Sequence, residues 1–198
     1  MAEVGKIKKK KLWVPIVAPM VLQNKAIGDA YVVDPKSIIG KTVSVNLSSI
    51  TSDKSHRDFM ARFRIIEVGD NAKTEIIGFE LGNSIIGRTI RKGKDRVDDS
   101  FIVRTKDNVG VRIKPYLQTN NYVARSVQTS LMKAIREYSY DFAKSRSYNE
   151  FIRDILSHKL QKEVKIKLNK ITALKFIEIR RLEKIESESK KSEEPIAA

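Results

Sequence analysis

The chain has 198 residues, of which 41% are hydrophobic and 32% charged, so it can bury a core beneath a heavily ionic surface. Lys and Arg number 39 against 24 Asp and Glu, a formal net charge of +15. Such an excess repels itself in a compact protein, and a polyanion relieves it. Nucleic acid and an anionic membrane surface are the two candidates, and the wide spread of basic residues favours nucleic acid. The absence of cysteine excludes disulfides, thiolate metal sites and a cysteine nucleophile.

No apolar run approaches the ~18 residues of a membrane span. The stretch after the basic N-terminus, Leu12 to Met20, is interrupted by Pro15 and Pro19 and is too short for a signal-peptide core. A soluble, cytoplasmic protein is expected.

Residues 1–11 read as a basic arm without an apolar face, disordered until it meets a partner. Trp13 to Ala18 can be extended, because Pro15 and Pro19 disfavour helix before them. Thr42 to Leu47 alternates with period two and predicts a half-buried strand, followed by a polar loop from Ser48 to Arg57. Met60 to Val68 and Thr74 to Leu81 read as a hairpin across Gly69-Asp70-Asn71. Ser84 to Lys92 suggests a short inserted helix, weakened by Gly87. Phe101 to Thr105 and Val109 to Leu117 form another pair, turning at Lys106-Asp107-Asn108. Several short strands at this spacing suggest a small barrel or curled sheet.

The pattern changes near residue 120. Val123, Val127, Leu131, Ile135, Tyr138 and Phe142 mark an amphipathic helix of about six turns. A second helix is predicted from Tyr148 to about Leu156. Residues 158–170 fit either a helix or a strand, and Leu160 with Ile171 favours helix. A final strand is expected over 175–182, then a flexible charged tail over 183–198. The expected fold is α+β. It has a small β-barrel-like sheet in the first two-thirds with a short inserted helix, then C-terminal helices and a last strand. Residues 12–182 would form a single domain, β-rich over 12–117 and helical over 120–171.

The inventory for catalysis is thin. His56 and His158 stand about a hundred residues apart without metal-ligand spacing. His56, in a polar loop, reads as a surface or RNA-facing residue. Asp98-Asp99 is the one carboxylate pair in mid-chain, and it follows a basic cluster, which favours salt bridging over acid–base work. No phosphate-binding glycine loop of the Walker or dinucleotide type occurs. No catalytic residue, metal or cofactor is expected.

Three basic clusters suit RNA. The first is the arm, Lys6, Lys8, Lys9, Lys10 and Lys11, with Trp13 behind it. A basic arm can order in folded RNA, and Trp13 can stack on a base, although packing of Trp13 against the sheet is the plainer expectation. The second is Arg88, Arg91, Lys92, Lys94 and Arg96, five cations within nine residues and the sharpest binding signal. The third is Arg125, Lys133 and Arg136 on the long helix, whose polar face also carries Glu137 and Asp141. No zinc finger, RRM or KH motif is present, so the pattern points to phosphate-and-shape binding of structured RNA.

Several stretches then resemble a known family. Leu12-Trp13-Val14-Pro15-Ile16-Val17-Ala18-Pro19 looks like a Trp-containing entry segment ending in Ala-Pro. Ile38-Ile39-Gly40-Lys41-Thr42-Val43 is similar to an Ile-Gly-Arg segment before a strand. Arg96-Val97-Asp98-Asp99, Val103-Arg104-Thr105-Lys106-Asp107-Asn108 and Val111-Arg112-Ile113-Lys114 follow a set order. That order is basic helix end, acidic dipeptide, Thr-Lys-Asp-Gly turn and Arg-x-Lys strand. Ile171-Thr172-Ala173-Leu174 with Ile179-Arg180-Arg181 looks like an Ile-Tyr-Pro-Leu followed by a basic strand. The ordered set, from about Leu12 to Leu182, resembles the small-subunit ribosomal protein family S-one-e, also called S-three-a-e, shared by archaea and eukaryotes. Asn108-Val109 in place of the turn glycine and Thr172-Ala173 in place of Tyr-Pro mark a divergent archaeal-type member.

The resemblance implies a structural constituent of the small ribosomal subunit. It implies a seat on the platform near the mRNA exit, against the 3′ region of the small-subunit rRNA and neighbouring ribosomal proteins. Arg112, Lys114, Arg180 and Arg181 join the candidate rRNA contacts through it. The alternative is a free-standing RNA-binding regulator or ribosome assembly factor with the same chemistry.

Overall fold

The computed structural model describes residues 10–51 and 56–185. The chain divides between Phe79 and Glu80 into two compact units. The arm residues Lys6, Lys8 and Lys9, and the tail from residue 186, lie outside the described residues.

The first unit contains β1 (Leu12–Val17), β2 (Ala26–Val32), β3 (Thr42–Asn46), α1 (Leu47–Thr51), β4 (Phe59–Val68) and most of β5 (Ala72–Leu81). β1 pairs antiparallel with β2 from Leu12↔Val32 to Val17↔Ala26, and parallel with the start of β5 at Ile16↔Ala72. β4 joins β5 to β3, giving the order β2-β1-β5-β4-β3. β2 and β3 are its two ends, so this sheet is open where a barrel-like sheet was expected.

Strand alternation builds the core. In β4, Phe59, Ala61, Phe63 and Ile65 are buried while Met60 and Arg62 face out. Val14, Ile16, Ile38, Ile65 and Ala72 form one apolar cluster, lined by Ile27, Ala30, Val32, Val43 and Val68. Burying each large side chain stabilises by roughly 1.5–3 kcal/mol. Thr74 donates its hydroxyl to the Val17 carbonyl at 2.8 Å and so pins β5 to β1.

Two elements here depart from the sequence expectation. β2 contains Gly28 and Asp29 and lacks a strand pattern of its own; it forms by pairing with β1. α1 replaces the first part of the polar loop expected from Ser48. Leu47 and Ile50 are buried there, and the Asn46 Oδ1 accepts the Ser48 N–H at 3.0 Å, capping the first turn.

The second unit contains the end of β5, α2 (Asn83–Thr89), β6 (Arg96–Asp98), β7 (Phe101–Arg104), β8 (Gly110–Thr119), α3 (Arg125–Lys144), α4 (Tyr148–Leu156), α5 (Lys159–Leu168) and β9 (Leu174–Ile185). β8 is central. β9 pairs along its full length, from Gly110↔Ile185 to Thr119↔Leu174. β7 and β6 share the opposite edge through Phe101↔Ile113 and Val97↔Leu117. The β8–β9 ladder shifts register at Lys114/Pro115, which accommodates a proline in a central strand.

α3 packs on β7 and β6, and α5 packs on β9, α3 and α4. Leu131, Ile135 and Phe142 bury one stripe of α3, as the spacing predicts, with Ser139 beside them; Val127 and Tyr138 are half-buried, and Val123 lies before the helix. α4 opens with a capping box: Ser147 accepts the Glu150 N–H, and the Glu150 carboxylate accepts the Ser147 N–H. The β7–β8 turn docks on this corner, where Asp107 accepts the Tyr148 N–H at 2.8 Å. Asn108 takes φ +58°, the left-handed value such a turn requires. The residues expected to begin a tail, Glu183 to Ile185, belong instead to β9, held by Arg112↔Glu183 and Gly110↔Ile185.

Candidate nucleic-acid interface

The densest basic cluster occupies the connection from α2 to β6. Arg88 closes α2, donating Nε to the Ser84 carbonyl at 3.3 Å. Arg91 and Lys92 are exposed, and neither meets a carboxylate among the described residues. Gly93 follows at φ +83°, a turn conformation that suits glycine. Lys94 is half-buried, and its pKa is held below the ordinary lysine value by partial burial and by the neighbouring Lys175 ammonium. Lys165 reaches the same place, donating Nζ to the Lys175 carbonyl at 3.4 Å. Lys94 and Lys175 thus face each other as like charges, with Lys165 on the backbone of the same strand, an arrangement that a phosphate would relieve.

Asp95, the lone acid in the run, has another task. Its carboxylate accepts the Val123 N–H at 2.8 Å and the Gln128 amide at 3.2 Å, ordering the start of α3. Arg96 turns back onto Asp98, and its guanidinium lies 5.4 Å from the centre of the Tyr116 ring. The Asp98 carboxylate raises the Arg96 pKa.

The Asp98-Asp99 pair is taken up by ion pairing. Arg136 on α3 grips Asp99 in a two-pronged contact, Nε to Oδ2 and Nη2 to Oδ1, both 2.6 Å. The Asp99 side chain is only 6% exposed. The Arg136 contact holds its pKa below the ordinary carboxylate value. Arg136 therefore fastens α3 to the strand edge, whereas Arg125 and Lys133 on the same helix are exposed.

β8 and β9 collect the remaining candidates. Lys114 lies directly across from Arg181, and Arg112 across from Glu183. Arg181 also bonds Glu183 at 2.5 Å. Arg180 falls at the register shift and lines a shallow cleft with Lys114, Asp98, Asp99, Ser100 and Pro115.

In the first unit, Lys10 and Lys11 are exposed. Trp13 is 69% exposed, against the expectation that it packs in the sheet. The alternation of β1 explains this: Val14 and Ile16 take the core face and Trp13 the opposite one. Trp13 lies opposite Tyr31 of β2, with ring centres 4.6 Å apart, and the Lys11 ammonium is 5.2 Å from the Tyr31 ring centre.

The two histidines are structural. His56, expected on the surface, is buried, with Nδ1 3.0 Å from the Thr51 hydroxyl. His158 Nδ1 lies 3.3 Å from Glu178 Oε2. Among the described residues no His, Cys, Asp and Glu cluster has metal-binding geometry. No helix among them is long and apolar enough to cross a membrane.

Sequence reasoning missed Tyr31, Lys165 and Lys175. Tyr31 required recognising β2 as a strand. Lys165 and Lys175 meet only because α5 folds back along β9, and no local pattern announces that.

Over most of its length the chain is similar to curated archaeal proteins. A protein of Nanoarchaeum equitans called small ribosomal subunit protein eS1 is 32% identical over 173 residues, 87% of each chain. The protein of the same name from Methanobrevibacter smithii is 31% identical, covering 86% of this chain and 89% of its own. That of Halorubrum lacusprofundi is 26% identical over 90% of this chain and 84% of its own. Residues 2–188 match the Ribosomal S3Ae family throughout, and the chain belongs to that family.

Proposed function

We propose that this chain is a structural, non-catalytic constituent of the small subunit of an archaeal-type cytoplasmic ribosome, holding rRNA by its phosphates. Family membership supports the assembly, and the like-charge meeting of Lys94 with Lys175, beside the exposed Arg91 and Lys92, supports the mode of contact. Cations placed against one another are unfavourable in the free protein and favourable around a phosphate. Arg88, Arg91 and Lys92 would extend that contact along the backbone. Lys10, Lys11, Arg112, Lys114, Arg125, Lys133 and Arg180 form a second tier of contacts, with Arg96, Arg136 and Arg181 weakened by their carboxylate partners.

The finer reading follows the family resemblance. The protein would sit on the platform near the mRNA exit, touching the 3′ region of the rRNA and neighbouring proteins. Residues 12–182, with the end of β9 to Ile185, would act as one functional domain.

Sedimentation through a high-salt wash separates this from a free-standing regulator or assembly factor: the chain should stay with the small subunit. Binding to an isolated rRNA fragment should also be salt-steep. About six phosphate contacts cost on the order of 10³ in affinity between 50 and 200 mM salt. A flat salt dependence would remove phosphate contact as the mode.

A further inference from the structure

Two large aromatic rings stand on the outer face of the β1–β2 hairpin, opposite the apolar cluster of the first unit. The register places Trp13 directly across from Tyr31. They are 69% and 52% exposed, and their planes meet at 32°. One face of the indole rests near the tyrosine. β2 ends the sheet of this unit, so the pair stands at its edge among the described residues.

We infer that Trp13 and Tyr31 form a stacking platform for an unpaired RNA base, with Lys11 holding the adjoining phosphate. This rests on the RNA-binding reading above and narrows it to single-stranded RNA at this place: a loop, bulge or strand end. Stacking on aromatic rings tolerates any base, because every base has a π-face. Bases within an A-form helix are stacked on one another and cannot reach a flat platform.

Charge fixes the direction of approach. Lys11 lies at one end of the ring pair, and Lys10 beside it is exposed. At the other end Asp29 stands opposite Pro15. A phosphate is attracted at the Lys11 end and repelled at the Asp29 end, so the strand would cross the platform near Lys11. An apolar protein surface laid on the same rings would bring Lys11 against it unsolvated, which is unfavourable.

The experiment uses the only tryptophan in the chain, so fluorescence excited beyond the tyrosine absorption band reports Trp13 alone. The full chain is titrated at fixed ionic strength with a short oligouridylate and with an RNA duplex of the same strand length. The single strand should quench the emission and the duplex should leave it nearly unchanged. Tyr31→Ala should weaken oligouridylate binding about tenfold, the equivalent of roughly 1.4 kcal/mol, and leave duplex binding unchanged. Trp13→Phe should keep most of the single-strand affinity and Trp13→Ala should lose it, both followed by the anisotropy of a labelled oligouridylate because these variants carry no tryptophan. Thermal melts of all three variants should match the wild type, since both rings are exposed.

Quenching of equal size by the duplex, or oligouridylate binding without quenching, would overturn the platform. Salt-steep duplex binding with no single-strand quenching removes the platform and leaves the broader reading standing. Loss of all RNA binding by the wild type removes both. Alanine variants that bind both RNAs normally yet fail to enter the subunit would show that a neighbouring protein covers the rings, and the platform would be wrong.

Discussion

The connection from α2 to β6 and the outer face of α3 are both basic, and they have become different things. In the first, Arg91 and Lys92 stand exposed, and Lys94 has another lysine for a neighbour. In the second, Arg136 closes on the nearly buried Asp99, and Glu137 and Asp141 share the surface with Lys133. The same residue types serve binding in one place and fastening in the other. What decides is the partner the fold supplies. A cation beside a carboxylate is already neutralised and holds two elements together. A cation beside a cation is an unfilled anion contact, and removing its charge should help the free protein while harming the complex.

The largest effect tests that contrast directly. Arg91→Glu with Lys94→Glu replaces attraction with repulsion at phosphates. Each charge-assisted contact is worth roughly 1.5–3 kcal/mol, so affinity for an rRNA fragment should fall by on the order of 100-fold or more. Melting temperature should hold or rise, because the carboxylate introduced at position 94 would meet Lys175 as an ion pair and the net positive charge drops. The matched pair on α3, Arg125→Glu with Lys133→Glu, should cost about tenfold or less. Equal losses at both places would erase the distinction, and a larger loss on α3 would move the binding surface there.

A smaller effect belongs to the fastening side. Asp99→Ala should lower stability by about 1 kcal/mol, discounted because Arg136 is half exposed and screened by solvent. RNA affinity should barely change. The Arg136 contact depresses the Asp99 pKa, so its contribution is present above the unfolded carboxylate value and lost as pH falls through the folded one. The difference in melting temperature between wild type and Asp99→Asn should therefore shrink in acid. A difference that persists unchanged well below the ordinary carboxylate range would mean the contact does not carry the stability.

Much of the frame was legible because local patterns and tertiary demands agree. The stripe Leu131, Ile135 and Phe142 marks α3 in the sequence and lies buried in the fold. Asp107-Asn108 marks a turn, and Asn108 takes the left-handed conformation. The structural role of Asp98-Asp99 was readable from the adjacent basic run. Legibility failed where pairing overrides local signal. β2 has no alternation worth reading and exists because β1 lies beside it. β6 is three residues inside a charged run, held by β8. Sheet closure depends on both edges at once, and β2 and β3 remain apart in the strand order. For the interface, the cations themselves were visible, but their partners were not. Arg136 reads as a ligand-facing residue until Asp99 is placed beside it, and Lys94 gains meaning only from Lys175.

The smallest effect probes a histidine fastener. His158 sits at the α4–α5 corner with φ +55°, and its ring faces Glu178 of β9. Glu178 is buried and its other oxygen accepts the Gln161 amide at 2.7 Å. The hydrogen bond to Glu178 raises the His158 pKa, against partial burial and the opposing charge of Lys162. The folded value is thus above the unfolded one of about 6.5. The stabilisation is complete below the unfolded value and is lost as pH rises through the folded one. His158→Asn removes the titration while tolerating the left-handed backbone. Across pH 6 to 8 the wild type should lose melting temperature relative to this variant by on the order of 1–2 °C, given that 1 kcal/mol moves a chain of this size by about 2–4 °C. RNA affinity should be the same for both chains at either pH, because this corner holds α5 to β9 by a neutralised pair. If His158→Asn instead weakened RNA binding more at pH 6 than at pH 8, the protonated imidazole would be serving the phosphate side, and the division between fastening and binding cations would have to be redrawn around α5.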